Sequence, residues 1–144
     1  MILRAPHASE AGALTELVMR SKASWDYSPE FIELCRPFLT VDPTNWGAPQ
    51  IAEDGALLGY VEMHLDTAQL CHLFIAPEAQ RRGVGSALLA WATDTARAHG
   101  LYHLILNADP NAVPFYEACG ASITRMVPSE IAGARPLPEM KLPL

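Results

Sequence analysis

A glycine-containing turn between an apolar run and a helical pattern constrains this chain more than any other stretch. The apolar run covers residues 70–75, the turn is Gln-Arg-Arg-Gly-Val-Gly-Ser at 80–86, and the helical pattern follows at 87–99. Backbone N–H groups at a helix start lack partners inside the helix and carry the positive end of its dipole. Because Gly83 and Gly85 would let an anion approach the main chain closely, this order predicts a diphosphate cradle.

Known phosphate-binding turns differ in sequence, and two of them do not match. A nucleoside-triphosphate loop needs a Lys after its last glycine, and none follows Gly85. A dinucleotide loop needs a third glycine where this chain has Leu88. The pattern Gln/Arg-x-x-Gly-x-Gly/Ala does match, beginning at Gln80, and Arg81 and Arg82 add positive charge to it. An ordinary β–α turn, whose glycines serve only the turn, is the alternative at this point.

Length, charge and cysteine content narrow the class of protein. The 144 residues fit one domain, residues 1–144, which buries enough surface to need no disulfide. A net charge of −6 argues against a nucleic-acid partner. Cys35, Cys71 and Cys119 have no metal-ligand spacing, so we expect no metal and predict buried thiols in a reducing compartment. No signal-peptide pattern or membrane-length apolar run is present, so a cytoplasmic protein without a membrane partner is the expectation.

The remaining patterns predict an α+β fold. Helical spacing covers residues 10–24, where Ser9 can cap the helix, and residues 29–37, which Pro29 opens. A short helix is predicted at 111–119. Strand-like runs occur at 2–5, 49–53, 57–65, 68–75, 101–106, 122–127 and within 135–144. The expected architecture is a mixed, mostly antiparallel sheet of about six or seven strands flanked by helices.

A second motif lies one helix and one strand after the glycine turn. Residues 111–120 read Asn-Ala-Val-Pro-Phe-Tyr-Glu-Ala-Cys-Gly. Together the two motifs resemble those of the GNAT superfamily of N-acetyltransferases, whose second signature is Asn-x-x-Ala-x-x-Phe/Leu-Tyr-x-x-x-Gly-Phe. Pro114 stands at the usual Ala and Ala121 at the usual final Phe. The chain also looks like a GNAT subgroup with the segments Ser-Lys-Ala-x-Trp-x-Tyr, here residues 21–27, and Arg-x-Leu-Pro, here residues 135–138. This subgroup resemblance does not identify the acceptor substrate.

The resemblance implies a GNAT-like fold in which a splayed central strand pair holds acetyl-CoA as co-substrate. The pantetheine arm would pair with strand backbone near Leu73 like an added strand. The turn would hold the diphosphate, Asn111 would bond the pantetheine amides, and Phe115 would pack on the arm. The cofactor-binding residues implied in this way are Leu73, Phe74, Ile75, Gln80, Arg81, Arg82, Gly83, Val84, Gly85, Ser86, Asn111, Phe115 and Tyr116.

The implied chemistry is direct attack of a neutral amine on the thioester. An amine with a pKa near ~10 is mostly protonated at neutral pH, so a base or water chain must take its proton. Tyr116 is implied as the acid that protonates the departing thiolate, and a tyrosine packed in the core is the alternative. Glu62, His64 and His72 are candidate bases, each with a purely structural alternative. Glu62 and His64 share one face of a strand.

The sequence therefore predicts an N-acetyltransferase that acts on a primary amine of a small molecule or peptide in a ternary complex. Trp25 and Tyr27 would either roof the acceptor pocket or close a helix–helix corner. A CoA-binding regulatory module of the same fold and a nucleotide-binding protein are the alternatives. The acceptor, the base, the length of the acyl group and the oligomeric state stay open, although a homodimer is compatible with the resemblance.

Overall fold

Seven strands form one sheet in the computed structural model, which describes residues 1–144. The strands are β1 (Ile2–Arg4), β2 (Ala48–Glu53), β3 (Leu57–His64), β4 (Gln69–Ile75), β5 (His103–Asn107), β6 (Ser122–Val127) and β7 (Leu137–Pro143). Their order in the sheet is β1-β2-β3-β4-β5-β7-β6, and only β4 and β5 run parallel. The predicted mixed, mostly antiparallel sheet is confirmed.

Helices pack on both faces of this sheet. They are α1 (Ala11–Ala23), α2 (Pro29–Leu39), α3 (Val84–Ala98) and α4 (Val113–Ala118). Because neighbouring side chains of a strand point to opposite faces, Tyr60 of β3 packs with Leu14 of α1, whereas Val61 packs with Leu88 of α3. A Cβ on Gly59 would lie 2.8 Å from Leu88 Cδ1, so the missing side chain lets α3 approach β3 closely. None of the helices has the length and hydrophobicity needed to cross a bilayer.

Local capping explains where the first two helices begin. The Ser28 hydroxyl accepts a hydrogen bond from the Phe31 N–H at 3.2 Å, and proline occupies the first position of α2 as predicted. The prediction that Ser9 caps α1 is wrong. The Glu10 carboxylate instead accepts from the His7 N–H at 2.8 Å, so a 3-10 turn over Ala8–Glu10 precedes the helix.

The parallel strands β4 and β5 touch at one point and then separate. Gln69 is paired with Ile105, whose N–H donates to the Ala68 carbonyl at 2.8 Å. Beyond this junction β4 stays paired with β3, and β5 stays paired with β7 as far as Asn107. Each strand thus follows its antiparallel partner, and the two carboxyl ends diverge. The predicted splayed strand pair is confirmed.

The three cysteines are free thiols, but only one is buried. Cys35 of α2 is buried, whereas Cys71 and Cys119 are exposed. The prediction of buried packing is therefore wrong for Cys71 and Cys119. Cys71 lies on β4 beside the gap between the diverging strands, and Cys119 lies just past the end of α4.

Candidate active site

A cavity of about 340 Å³, here called the slot, opens where β4 and β5 diverge. Helices α1 and α4, both diverging strands and the glycine turn contribute to its walls. Its lining residues are Ser21, Lys22, Trp25, Leu70, Cys71, Leu73, Phe74, Ile75, Gln80, Arg81, Gly85, Leu106, Asn107, Ala108, Asp109, Asn111, Ala112, Phe115 and Tyr116. The fold thus brings most of the residues expected to bind a cofactor around one space. Arg82, Gly83, Val84 and Ser86 are in the adjoining turn but do not line the slot.

A β-bulge in β4 sets which backbone groups face the slot. The register between β3 and β4 shifts after the Glu62–His72 pair, so Cys71 is the extra residue on β4. Further along, the Ala76 N–H donates to Leu58 of β3 at 2.8 Å. Since backbone groups alternate sides along a strand, those of Leu73 and Ile75 point away from β3 and toward the slot. Both residues therefore offer a free strand edge on which an extended ligand can pair.

The glycine turn supplies free N–H donors at the start of α3. Arg81 and Gly83 both adopt left-handed backbone conformations, with φ of 63° and 79°. The N–H groups of residues 82–86 donate to no acceptor in the protein, and the first helical bond runs from the Ala87 N–H to the Gly83 carbonyl at 3.0 Å. These unpaired donors and the adjacent Arg81 and Arg82 favour an anion. The turn thus has the properties of a diphosphate site.

Gly85 keeps the slot open beside this turn. A Cβ at this position would lie 3.6 Å from both Ile75 and Phe115, two residues that line the slot. A methyl group would fit at that contact distance, whereas a longer side chain would extend into the cavity. The residues around the turn therefore fit a diphosphate that continues into a narrow chain.

Tyr116 places a hydroxyl group in the slot. Its side chain on α4 is 7% exposed and packs edge-on against Phe115, with ring centroids 5.2 Å apart. The hydroxyl has no hydrogen-bond partner in the protein, although its oxygen is not sealed from solvent. Burial raises the pKa of Tyr116 well above its ordinary value. The phenol is therefore protonated at neutral pH and can act as a proton donor.

A carboxylate that sequence reasoning missed organises the wall next to Tyr116. Asp109 is paired with Lys22 of α1 and accepts hydrogen bonds from the Tyr27 hydroxyl at 2.8 Å and the Asn111 N–H at 2.8 Å. The Asn111 Nδ2 atom lies 3.0 Å from Asp109 Oδ1. Burial favours a higher pKa for Asp109, but the hydrogen bond from Lys22 and the backbone bond from Asn111 hold it below its ordinary value. The side chain is thus an anion in a wall that solvent barely reaches.

This arrangement fixes the orientation of the Asn111 side chain. A carboxylate only accepts hydrogen bonds, so the amide of Asn111 must turn its NH₂ group toward Asp109. Its Oδ1 atom is then left without a protein partner, on a residue that lines the slot. The Asp-Pro step before a helix could have indicated an N-cap at Asp109. The pairing with Lys22 could not be read from the sequence, because the two residues are far apart in the chain.

The candidate bases form a second polar cluster away from the slot. Glu62 is buried, and its carboxylate accepts from the Tyr60 hydroxyl at 2.8 Å and lies 3.0 Å from His64 Nε2. His72 Nδ1 lies 3.6 Å from Glu62 Oε1. Burial works to raise the Glu62 pKa, but the nearby His72 ring and the hydrogen bond from the Tyr60 hydroxyl keep it lowered. The carboxylate is therefore ionised at neutral pH.

This cluster does not reach the slot surface. Neither Glu62 nor His64 nor His72 lines the slot. The His72 ring lies between Tyr60 and Phe74, at centroid distances of 5.7 and 5.9 Å, and both of its ring nitrogens are buried without a hydrogen-bond partner. Since Phe74 lines the slot, one aromatic side chain connects His72 with the cavity.

The two aromatic residues of the α1–α2 loop have different surroundings. Trp25 lines the slot and is 37% exposed. Tyr27 does not line the slot; its ring packs against Phe31 at 4.9 Å and lies under the Lys22 ammonium at 4.8 Å. Burial and the hydrogen bond to Asp109 raise the pKa of Tyr27 to about 12. Trp25 thus faces the cavity while Tyr27 closes the helix corner.

Comparisons with known proteins agree on one family. The model of the acetyltransferase (GNAT) domain matches residues 48–126. The peptidyl-lysine N-acetyltransferase YiaC of Escherichia coli (strain K12) is 31% identical over 129 residues, which cover 85% of this chain and 84% of YiaC.

Solved structures share the whole fold. A GCN5-related N-acetyltransferase from Rhodopseudomonas palustris superimposes with a TM-score of 0.86 at 21% identity, covering 99% of this chain and 95% of that one. The PaiA N-acetyltransferase from Thermoplasma acidophilum, in complex with coenzyme A, gives a TM-score of 0.77 at 17% identity, covering 99% and 98%.

Proposed function

The chain belongs to the GNAT family of acetyltransferases, and on that premise we propose that it moves an acetyl group from acetyl-CoA to a primary amine by direct attack in a ternary complex. One observation carries the proposal. The slot contains a free strand edge and the unpartnered hydroxyl of Tyr116, and it adjoins a turn of unpaired N–H groups at Gly85. An anion site, an extended binding edge and a proton donor are three of the groups that such a transfer needs.

The proposed place of acetyl-CoA follows the slot from the turn inward. The N–H groups of residues 82–86 would bind the diphosphate, with Gln80, Arg81 and Arg82 beside it. The backbone of Leu73 and Ile75 would pair with the pantetheine amides in the manner of an added strand. The free Asn111 Oδ1 would accept from a pantetheine N–H, and Phe115 would pack on the arm. The coenzyme A bound to the Thermoplasma acidophilum neighbour supports acetyl-CoA as the co-substrate.

Tyr116 is the proposed general acid. When bound, acetyl-CoA supplies an activated acyl group and a thiolate leaving group. The Tyr116 hydroxyl, which is protonated at neutral pH, would donate its proton to that thiolate. A positioned acid contributes about 100- to 10,000-fold in rate. A backbone N–H of the free β4 edge would polarise the thioester carbonyl.

Glu62 and His72 are the proposed acceptors of the amine proton. The ionised Glu62 carboxylate is close to His72, whose ring nitrogens have no other partner. Because neither residue lines the slot, the proton would reach them through water that passes Phe74. Trp25, in the slot wall, is the proposed roof over the acceptor, and Tyr27 would contribute from the helix corner.

The acceptor class rests on the amine chemistry and on one relative. YiaC acts on peptidyl-lysine, which supports a primary amine on a small molecule or peptide. The homodimer and the cytoplasmic location stay predictions.

Thermal unfolding with and without acetyl-CoA tests the binding site. A ligand at 100 times its dissociation constant adds about 2.7 kcal/mol, or roughly 5–10 °C in Tm for a chain of this size. Gly85→Glu should abolish the shift because its carboxylate occupies the slot next to the diphosphate site. Gly12→Glu, which adds the same charge at an open position of α1, should keep it. No stabilisation of the wild type at millimolar acetyl-CoA would contradict the proposed cofactor.

Tyr116→Phe tests turnover separately from binding. We expect the acetyl-CoA stabilisation to persist and the release of CoA with lysine peptides or small amines to fall at least 100-fold. A wild type that binds acetyl-CoA but releases no CoA with any amine would favour the regulatory alternative. Unchanged turnover in Tyr116→Phe would remove the assigned acid.

A further inference from the structure

A second cavity of about 350 Å³ lies between helices α1 and α2 and the segment that connects β6 to β7. Tyr27 and Phe31 form one side, and Ile131 and Leu137 form part of the other. Lys22 is the one residue that lines both the second cavity and the slot. A molecule that contacts Lys22 in the second cavity would therefore have one end close to the slot wall. The proposed transfer uses none of this space.

The charges around the second cavity are one-sided. Among its lining residues are two cations, Lys22 and Arg135, and no Asp or Glu. The positive charge of Lys22 is already paired with the Asp109 carboxylate. Arg135 forms no hydrogen bond and no ion pair, and its charge is close enough to Tyr27 to oppose the raised pKa of that residue. The net charge presented to an occupant is thus positive.

Most of the other arginines form ion pairs, which sets the free guanidinium of Arg135 apart. Five of them, Arg4, Arg20, Arg36, Arg97 and Arg125, form ion pairs with carboxylates. The three without such pairs are Arg81, Arg82 and Arg135. Two of these stand at the proposed diphosphate site, and the third stands at the second cavity. In a chain with a net charge of −6, unpaired arginines occur only next to cavities.

We propose that the second cavity binds the acceptor and that Arg135 recognises a carboxylate on it. The substrate is then a primary amine that also carries a carboxylate and an apolar or aromatic portion. The planar guanidinium matches a carboxylate with two parallel hydrogen bonds. The Tyr27 and Phe31 rings, 4.9 Å apart, offer the apolar wall, and the amine would point toward Lys22 and the slot. This assignment rests on the proposed acetyl transfer for its amine end.

Binding of a matched pair of probes tests the anion site without turnover. N-acetyl-L-phenylalanine has the carboxylate and the aromatic ring but no amine to be acetylated, and N-acetyl-L-phenylalaninamide lacks only the charge. We expect the wild type to bind the carboxylate about tenfold more tightly than the amide, as measured by NMR titration of residues 129–137. Arg135→Gln should abolish that preference. Arg97→Gln, which removes a charge on α3 away from both cavities, should retain it.

The other outcomes overturn the inference. Equal affinity of the wild type for the two probes, or no binding of the carboxylate at tens of millimolar, excludes an anion site in the second cavity. An unchanged preference in Arg135→Gln removes Arg135 from the recognition. Stabilisation by acetyl-CoA is measured on the same samples. If it occurs without a carboxylate preference, only this inference fails, and if it is absent, the proposed acetyl transfer fails independently.

Discussion

Asp109 and Glu62 are similar carboxylates in very different places. Their side chains are 13% and 7% exposed, each has several donors around it, and each has a pKa below its ordinary value. Asp109 joins α1 to the β5–α4 connection and lines the slot. Glu62 joins neighbouring strands and lies behind the slot wall. Burial and ionisation alone therefore do not identify a catalytic group, because the two carboxylates differ in their access to the cavity.

The two clusters therefore predict different defects. Loss of Asp109 should affect folding and cofactor binding, since it holds Lys22 and orients Asn111. Loss of Glu62 should affect turnover, since Glu62 is a proposed acceptor of the amine proton.

The largest expected effect is on turnover in Glu62→Gln. The amide keeps the shape but cannot accept a proton, so kcat/KM should fall about 100-fold or more while acetyl-CoA stabilisation stays unchanged. Steady-state CoA release across pH measures this. Glu33→Gln, at an exposed position of α2, is the matched control. Wild-type kcat/KM in Glu62→Gln would assign Glu62 a purely structural role and leave the base elsewhere.

A stability defect is expected next, in Asp109→Asn. The neutral side chain leaves the Lys22 ammonium without its counter-charge, which should cost roughly 3 kcal/mol in the free energy of unfolding. Urea denaturation measures the loss, and adding Lys22→Met should restore most of it. Glu16→Gln breaks an exposed pair with Arg36 and should change stability by about 0.5 kcal/mol or less. A similarly small change in the free energy of unfolding of Asp109→Asn would mean that the negative charge of Asp109 does not stabilise the fold.

A binding defect of intermediate size is expected in Asn111→Ala. Removal of the free Oδ1 should weaken acetyl-CoA binding about tenfold, with little change in turnover at saturation. Calorimetry with acetyl-CoA gives the affinity, and the exposed Asn45→Ala is the control. A change in kcat without a change in affinity would contradict the assigned contact.

The smallest effect is the pH dependence that both carboxylates share. Their folded pKa values lie below the unfolded ones, so the stability they contribute is complete at neutral pH and is lost as pH falls through the folded pKa values. The free energy of unfolding should therefore decline below about pH 4. The decline should be shallower in Asp109→Asn and Glu62→Gln than in wild type. An identical decline of the free energy of unfolding at low pH in all three proteins would argue against the lowered pKa values.

The order of elements could be predicted because its signals are local. The alternation of apolar residues, the Asp54-Gly55 turn between β2 and β3 and the glycine turn at 80–86 each act over a few residues. The antiparallel order of β2, β3 and β4 and the start of α3 follow from them. A prediction from local sequence failed where a side chain from a distant segment changed the hydrogen bonding at a helix start. Ser9 lost its capping role because Glu10, held by Arg4 of β1, reaches back to His7 first.

The site was predictable where it consists of backbone. Free N–H groups at the start of α3 follow from helix geometry, and Tyr116 and Asn111 follow from a motif. The Asp109–Lys22 pair and the second cavity were missed, because their residues come from opposite ends of the chain. Glu62 and His72 were correctly placed on neighbouring strands, but their distance from the slot depends on the packing of Phe74.

Local patterns in the sequence specify the strands, the helices and the turn of free N–H donors, because backbone sterics and hydrophobic periodicity act between near neighbours. The bulge at Cys71, which turns the backbone of Leu73 and Ile75 toward the slot, depends on tertiary contacts. Tertiary contacts also determine that Asp109 rather than Glu62 lines the slot and that the Arg135 guanidinium has no ion-pair partner. These depend on contacts between segments far apart in the chain, which form only when the divergence of β4 and β5 is fixed by their antiparallel partners.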